Sequence, residues 1–72
     1  MTDEEFLKKL GEKVSVLRKT KGLTQKELAQ KLETHYTAIV RIERGGVNST
    51  INMLRKIADC LGVEVEELIK IN

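Results

Sequence analysis

The segment from Gly22 to Glu43 contains two short helical patterns separated by only a few residues, and this spacing restricts the fold more than any other feature of the chain. The first pattern begins at Thr24, whose hydroxyl can accept a hydrogen bond from the first helical turn while Glu27 closes a capping box. Its apolar residues recur at helical spacing, at Leu28, Ala29 and Leu32. The pattern therefore predicts a helix of about two turns with one apolar face that must pack against another element.

The second pattern restarts near Tyr36 and places Ile39 and Ile42 on an inner face. Its outer face carries Tyr36, Thr37, Val40 and Arg41. Arg41 could fork onto a guanine, Thr37 could bond a base edge or touch a thymine methyl, and Tyr36 could reach a base or a phosphate. Taken alone, these exposed side chains are equally compatible with an ordinary solvated face.

Three further helices are predicted, one before this pair and two after it. The first starts with a capping box at Thr2 and Glu5 and ends at Gly22. Its apolar stripe consists of Phe6, Leu7, Leu10, Val14 and Leu17. A fourth helix should run from about Thr50 to Leu61, with Gly62 closing it. Its inward residues are expected to be Ile51, Leu54, Ile57, Ala58 and Leu61. A short fifth helix follows, roughly over 65–69.

Residues 1–72 are expected to form one all-α domain. No segment alternates with period two over enough length for a strand, and the chain contains no Pro. Seventy-two residues leave room for one small core. The chain shows no apolar run long enough to span a membrane and no secretory signal, so a cytoplasmic location without a membrane partner is expected.

The positive charge is concentrated in the centre of the sequence. Between Arg18 and Lys56 there are nine Lys or Arg and three Glu, whereas the two ends together carry four Lys and eight acids. The formal net charge is only +2, so the distribution is more informative than the sum. A scattered arrangement for solubility is the alternative, but the central excess favours an anionic partner for the two short helices.

The sequence shows no pattern typical of a disulfide, a metal site or a catalytic acid–base pair. Cys60 has no second Cys for a disulfide or a thiolate metal cluster, and we interpret it as a packing residue. His35 has no partner for a metal site, and solvent exposure beside the turn is favoured over a phosphate contact. Glu66 and Glu67 suit the start of a short helix better than acid–base catalysis. We therefore expect no cofactor, no metal and no enzymatic activity.

The sequence resembles the Cro/CI-type helix-turn-helix family, also called XRE-like. The matching residues are Leu23, Thr24, Gln25, Glu27, Leu28, Ala29, Ile39, Arg41, Ile42, Glu43, Arg44, Gly45, Asn48, Leu54, Ile57, Ala58, Leu61, Gly62 and Val63. The match runs without a gap from about Gly11 to Ile69. The match is specific because it combines a capping box, regularly spaced apolar residues, an acidic residue and a terminal pair of helices at fixed distances along the sequence.

The resemblance implies a compact five-helix, lambda-repressor-like DNA-binding domain that docks as a homodimer on a pseudo-palindromic operator, with its recognition helix in the major groove. The base-contacting positions would be Tyr36, Thr37, Val40 and Arg41. Contacts to the DNA backbone would come from Thr24, Gln25, His35, Arg44 and Asn48. Arg18 and Glu43 match a pair that forms an internal salt bridge between the first and third helices.

The resemblance also implies the partners of the chain. They are double-stranded DNA and a second copy of the chain, with RNA polymerase as a further candidate. Val63, Val65, Ile69 and Ile71 are expected to remain as apolar surface and to form the dimer interface. Without a sensor domain, the chain is similar to stand-alone members such as restriction-modification controller proteins and small phage repressors. The sequence therefore predicts a transcription regulator.

Two positions depart from the family pattern. Glu33 occupies the turn position that normally holds Gly. Gly is usual there because the backbone has a positive φ, a conformation that costs a residue with a Cβ about 1 kcal/mol. Ser49 stands where many relatives have Pro, but Ser is a competent N-cap for the fourth helix. Glu33 puts the angle of the recognition helix in question.

A protein-interaction module is the alternative function. The same five-helix scaffold could dock a partner protein, as an antitoxin-like domain does, while binding DNA only weakly. A docking face should be broadly apolar, whereas the predicted recognition face is polar and cationic at Thr37 and Arg41. This difference favours DNA binding.

Overall fold

The computed structural model describes residues 1–46 and 49–71, and within these ranges the chain forms five α-helices and no strand. The helices are α1 (Asp3–Thr20), α2 (Gln25–Lys31), α3 (Tyr36–Arg44), α4 (Ile51–Leu61) and α5 (Val65–Ile69). The all-α class and the order of helices are those predicted from the sequence. None of these helices is both long and apolar enough to cross a membrane.

Both predicted capping boxes are present. The Thr24 backbone N–H donates to Glu27 Oε1 over 2.8 Å, and the Glu27 backbone N–H donates to Thr24 Oγ1 over 3.1 Å. The backbone hydrogen bond from Thr24, followed by the bond from its hydroxyl, holds the pKa of Glu27 below its ordinary value. The same bonds from Thr2 lower the pKa of Glu5. Each carboxylate thus stays ionised at neutral pH beside the positive end of its helix.

The start of α4 differs from the sequence prediction in two respects. Thr50 Oγ1 accepts a hydrogen bond from the Met53 backbone N–H over 3.1 Å, so Thr50 and not Ser49 is the N-cap. Ile51, which was expected to point inward, is 59% exposed. It occupies the first helical position, whereas the next inward residue, Leu54, is buried.

The core lies among all five helices. Its buried apolar residues are Leu10, Val14, Leu28, Ala29, Leu32, Ile39, Ile42, Leu54, Ile57, Ala58, Leu61 and Leu68. Phe6, Leu17 and the free thiol of Cys60 are partly buried against this cluster. The predicted apolar stripes of α1, α2 and α3 therefore converge on one core.

Two glycines allow α1 and α3 to approach at backbone distance. A Cβ added to Gly11 would lie 2.6 Å from the Glu43 carbonyl oxygen and would also meet the Ile42 carbonyl oxygen. A Cβ on Gly45, the residue that ends α3 with a φ of +77°, would lie 2.7 Å from Lys8 Cα. No other residue fits these positions without displacing backbone. The C-terminal half of α3 is thereby held directly on α1.

Candidate nucleic-acid interface

Helix α3 has one buried face and one exposed face. Ile39 and Ile42 are 0% and 5% exposed and lie in the core. At about 100° of rotation per residue, the remaining outward positions fall within an arc of about 140°. These positions are Tyr36, Thr37, Val40, Arg41 and Arg44. Four of them are exposed, while Val40 is half-buried, so the arc presents a phenol, a hydroxyl and two guanidinium groups.

The joint between α2 and α3 keeps the geometry that a Gly would give it. Glu33 has a φ of +53°, as the sequence predicts for this position. The Thr34 backbone N–H donates to the Ala29 carbonyl over 3.0 Å, and the Glu33 N–H donates to the Gln30 carbonyl over 3.1 Å. These two bonds form a Schellman motif at the end of α2. The turn closes normally, and Glu33 absorbs the strain without remodelling it.

A buried ion pair fixes the base of the site. Arg18 Nε lies 2.7 Å from Glu43 Oε2, and Arg18 Nη2 donates to Glu43 Oε1 over 3.1 Å. The two side chains are only 9% and 6% exposed. Arg18 Nη1 also donates to the Leu23 carbonyl over 2.7 Å. The salt bridge that the resemblance implies is present, and it ties α1, the α1–α2 loop and α3 together.

Gln25 joins this network instead of standing free. Its Nε2 donates to Glu43 Oε1 over 3.1 Å, which anchors the first residue of α2 to α3. Since an amide nitrogen has two N–H donors, one remains for the phosphate contact that the sequence predicts. The structure thus adds an internal role that the sequence analysis missed.

The other predicted backbone contacts are placed as follows. The Thr24 hydroxyl accepts the cap bond from Glu27. His35 is exposed and is the N-cap of α3, without a side-chain hydrogen bond to the helix. Arg44 is exposed in the last turn of α3. Asn48 lies outside the described residues. Thr24 and His35 therefore lie at the N-terminal ends of α2 and α3, and Arg44 lies at the C-terminal end of α3.

Lys26 contacts a residue of the exposed arc, and this contact was not expected from the sequence. Its Nζ lies 5.8 Å from the centroid of the Tyr36 ring, within the range of a cation–π contact. Tyr36 is 44% exposed at the first position of α3, and Lys26 is exposed on α2. The sequence offers no spacing rule for a pair that spans a turn, so only the folded structure reveals the contact.

The predicted dimer residues differ in exposure. Ile69 is 40% exposed, whereas Val63, Val65 and Ile71 are half-buried and pack against the core. Nearby, Lys13 Nζ on α1 lies 3.2 Å from Glu67 Oε2 on α5, which holds the last helix on the first. The predicted residues therefore expose less apolar surface than expected, and Ile69 is the most exposed of the four.

Residues 15–68 match the family model described as HTH_3, helix-turn-helix. Three quarters of the chain are thus covered, together with the helix pair and the salt bridge described above. The chain belongs to this family of all-helical, DNA-binding transcription regulators, the XRE-like class.

Curated relatives and solved structures agree with this assignment. The chain is 37% identical over 60 residues to the control protein C.BamHI of Bacillus amyloliquefaciens, covering 82% of this chain and 74% of that protein. It is 30% identical over 60 residues to the immunity repressor of Bacillus phage phi105, covering 83% of this chain. The chain spans only 42% of the length of that repressor.

Two solved structures show the same fold. The restriction-modification controller protein C.AhdI from Aeromonas hydrophila superposes with a TM-score of 0.83 at 34% identity, covering 86% of this chain and 94% of that one. The biofilm regulator SinR, solved in complex with DNA, superposes with a TM-score of 0.81 at 32% identity. That comparison covers 85% of this chain and 98% of that chain.

Proposed function

We propose that this protein is a sequence-specific transcription regulator that binds a pseudo-palindromic operator as a homodimer, with α3 in the major groove of each half-site. The observation that carries the proposal is the exposed arc of α3. A phenol, a hydroxyl and two guanidinium groups project from a nine-residue helix that is fixed from behind by glycine contacts and a buried ion pair. A helix held in this way can present the same donors to every duplex, which base readout requires.

The residues of the arc have distinct roles in this proposal. Arg41 donates two hydrogen bonds to the O6 and N7 atoms of a guanine, and Thr37 contacts the neighbouring base edge. Val40 offers an apolar contact to a thymine methyl. Tyr36 reaches the base or phosphate at the N-terminal end of α3. At about 1.5 Å per residue, α3 is about 13 Å long and covers roughly four base pairs.

Phosphate contacts position the arc on the duplex. Thr24, Gln25, His35, Arg44 and Asn48 supply them in this proposal. Arg44 adds a full positive charge, so it should contribute about one unit to the salt dependence of binding. The structure of SinR in complex with DNA supports DNA binding by this fold, since that chain superposes on this one.

Dimerisation is proposed because one helix reading about four base pairs gives little specificity. Ile69 on α5, together with Val63, Val65 and Ile71, supplies the interface in this proposal. The molecule measures 32 × 22 × 21 Å, so two neighbouring copies can place their recognition helices about 34 Å apart, one turn of DNA. Each copy then meets one half-site.

Selection of bound duplexes from a random pool, followed by titration of the enriched duplex at two salt concentrations, tests the proposal. We expect an enriched palindrome with half-sites about one helical turn apart and an affinity for it at least 10³-fold above that for random DNA. A pool that stays random, with only weak and salt-sensitive binding, would contradict it. That outcome would favour the protein-interaction module.

A further inference from the structure

We propose that Lys26 is a positioning residue for Tyr36, holding its ring so that the phenol meets one fixed position of the operator. The inference rests on the proposed function. The proposed contact connects α2 with α3, because Lys26 lies on one helix and Tyr36 on the other.

The contact is well placed for this role. Lys26 is the second residue of α2 and Tyr36 is the first residue of α3, and Lys26 Nζ lies 5.8 Å from the ring centroid. A residue at the first helical position has no preceding turn to restrict its χ1 angle, so the helix alone does not fix the ring. A cation over its face supplies the missing restraint.

The charge of Lys26 is not committed to a carboxylate. The ion pairs among residues 1–46 and 49–71 join Lys13 to Glu67 and Arg18 to Glu43. The ammonium therefore remains available to the ring in the free protein. A cation–π contact is worth more when water is excluded from it. Docking of α3 against DNA would remove water from this exposed pair, so its effect should be largest in the complex.

Nuclear magnetic resonance of the free protein provides the first test. The chain has one Tyr, one Phe and no Trp, so few rings can shift nearby protons. We expect the protons on the Lys26 side-chain carbon next to Nζ to be shifted upfield in the parent and to lose that shift in Tyr36→Leu. Unshifted protons in the parent would overturn the proposal without involving DNA.

A double-mutant cycle on the selected operator provides the second test. Lys26→Met should weaken binding about threefold to tenfold in the parent, as expected of a cation–π contact that loses water, and much less in the Tyr36→Leu background. Lys26→Arg should restore most of the affinity, because a guanidinium also stacks on an aromatic face. Base preference at the position read by Tyr36 should flatten in Lys26→Met.

Lys31→Met is the matched control. Lys31 is exposed on the same helix but borders a groove with Lys56, Asp59 and Cys60 of α4, so its loss should leave operator affinity nearly unchanged.

Three results would overturn the assignment. An equal loss for Lys26→Met in both backgrounds, with a smaller salt slope, would mean that Lys26 only binds a phosphate. No loss in the parent, on an operator that the protein selects, would remove Lys26 from the site and leave the proposed function intact. A pool that stays random would overturn this role together with the proposed function, even where the ring shift is present.

Discussion

Arg18 and Arg41 show how differently one residue type is used in this molecule. Arg18 is 8% exposed and donates to Glu43 and to the Leu23 carbonyl, so all of its function is internal. Arg41 is exposed on the arc of α3, beside a groove that it lines with Thr50 and Met53. A buried charge that loses its partner is costly, whereas an exposed one is not. The two arginines should therefore respond to substitution in different assays.

Glu43→Ala should destabilise the fold by about 3–5 kcal/mol, because it leaves the Arg18 guanidinium buried without its partner. Urea denaturation followed by circular dichroism measures this change. Glu67→Ala is the control, since the Lys13–Glu67 pair is half-exposed and should contribute less than about 1 kcal/mol. The double substitution Arg18→Met with Glu43→Leu should cost less than Glu43→Ala alone. Similar losses for Glu43→Ala and Glu67→Ala would contradict the prediction.

Arg41→Ala should leave stability unchanged and weaken operator binding by about 1–3 kcal/mol, with relaxed preference at one base pair. Titration against operators varied at each position measures both effects. Lys56→Ala on α4 is the control, because Lys56 is exposed and borders a groove with Lys31, Asp59 and Cys60, outside both the arc of α3 and the proposed dimer interface. Unaltered affinity and base preference in Arg41→Ala would remove Arg41 from the base-contacting set.

Among the elements, α1 and α3 form the tightest pair, and small residues are the reason. At Gly11 the Glu43 carbonyl is too close for a Cβ, and at Gly45 the Lys8 backbone is too close for one. Helix α3 is therefore held at its C-terminal half by backbone contact and at its N-terminal end by the joint with α2. The position of α3 therefore does not depend on the exposed side chains of the arc.

Gly11→Ala should destabilise the protein by about 1–3 kcal/mol through overpacking, although Ala is the better helix former. Gly22→Ala is the matched control. Gly22 has a φ of +74° and nothing within 4 Å of an added Cβ, so the cost there comes from the backbone conformation alone, about 1 kcal/mol. Thermal denaturation compares the two. A Gly11→Ala variant as stable as the parent would contradict the close approach.

The sequence predicted elements well where the signal was local. Thr24 with Glu27 marked the start of α2 within one residue. The positive φ at Glu33 was expected only from the family resemblance. Contacts between elements were not predictable in the same way. Ile51 fits the apolar spacing of α4 yet is exposed, because burial depends on whether a neighbouring element reaches the first turn.

The candidate site shows the same division. The arc of α3 followed from helical spacing, and the Arg18–Glu43 pair came only with the family resemblance. The bond from Gln25 to Glu43 and the contact of Lys26 with Tyr36 join residues 18 and ten positions apart, which no periodicity connects. The buried and exposed faces of a helix can be predicted from its sequence, but the partners of its polar side chains depend on how the helices cross.

The whole molecule is small enough that its surfaces must share functions. With a radius of gyration of 10.9 Å, the fold carries the recognition arc on α3 and the exposed Ile69 on α5. In the proposed function, a single copy would cover only a few base pairs. In the proposed function, affinity therefore depends on protein concentration through the dimer equilibrium.

Ile69→Glu should shift the protein toward monomer, because it places a charge in the proposed apolar interface. Sedimentation at tens of micromolar, with operator titration alongside, measures the shift and the loss of cooperative binding. Ile51→Glu is the control for sedimentation, as Ile51 is 59% exposed at the other end of α4 and its substitution should not affect association. A parent that sediments as a monomer without cooperativity on DNA would contradict dimerisation.

The glycine contacts between α1 and α3 have a consequence for the operator. Inserting one base pair between the half-sites increases their separation by about 3.4 Å and rotates one relative to the other by about 34°. A recognition helix on a flexible support could follow that rotation, but α3 cannot turn without carrying α1 and the core with it. We therefore expect the proposed dimer to tolerate little change in half-site spacing, with one inserted base pair reducing affinity nearly to that of a single half-site. An operator series with altered spacing would show a sharp maximum if α3 is held as rigidly as Gly11 and Gly45 indicate, and a broad one if it is not.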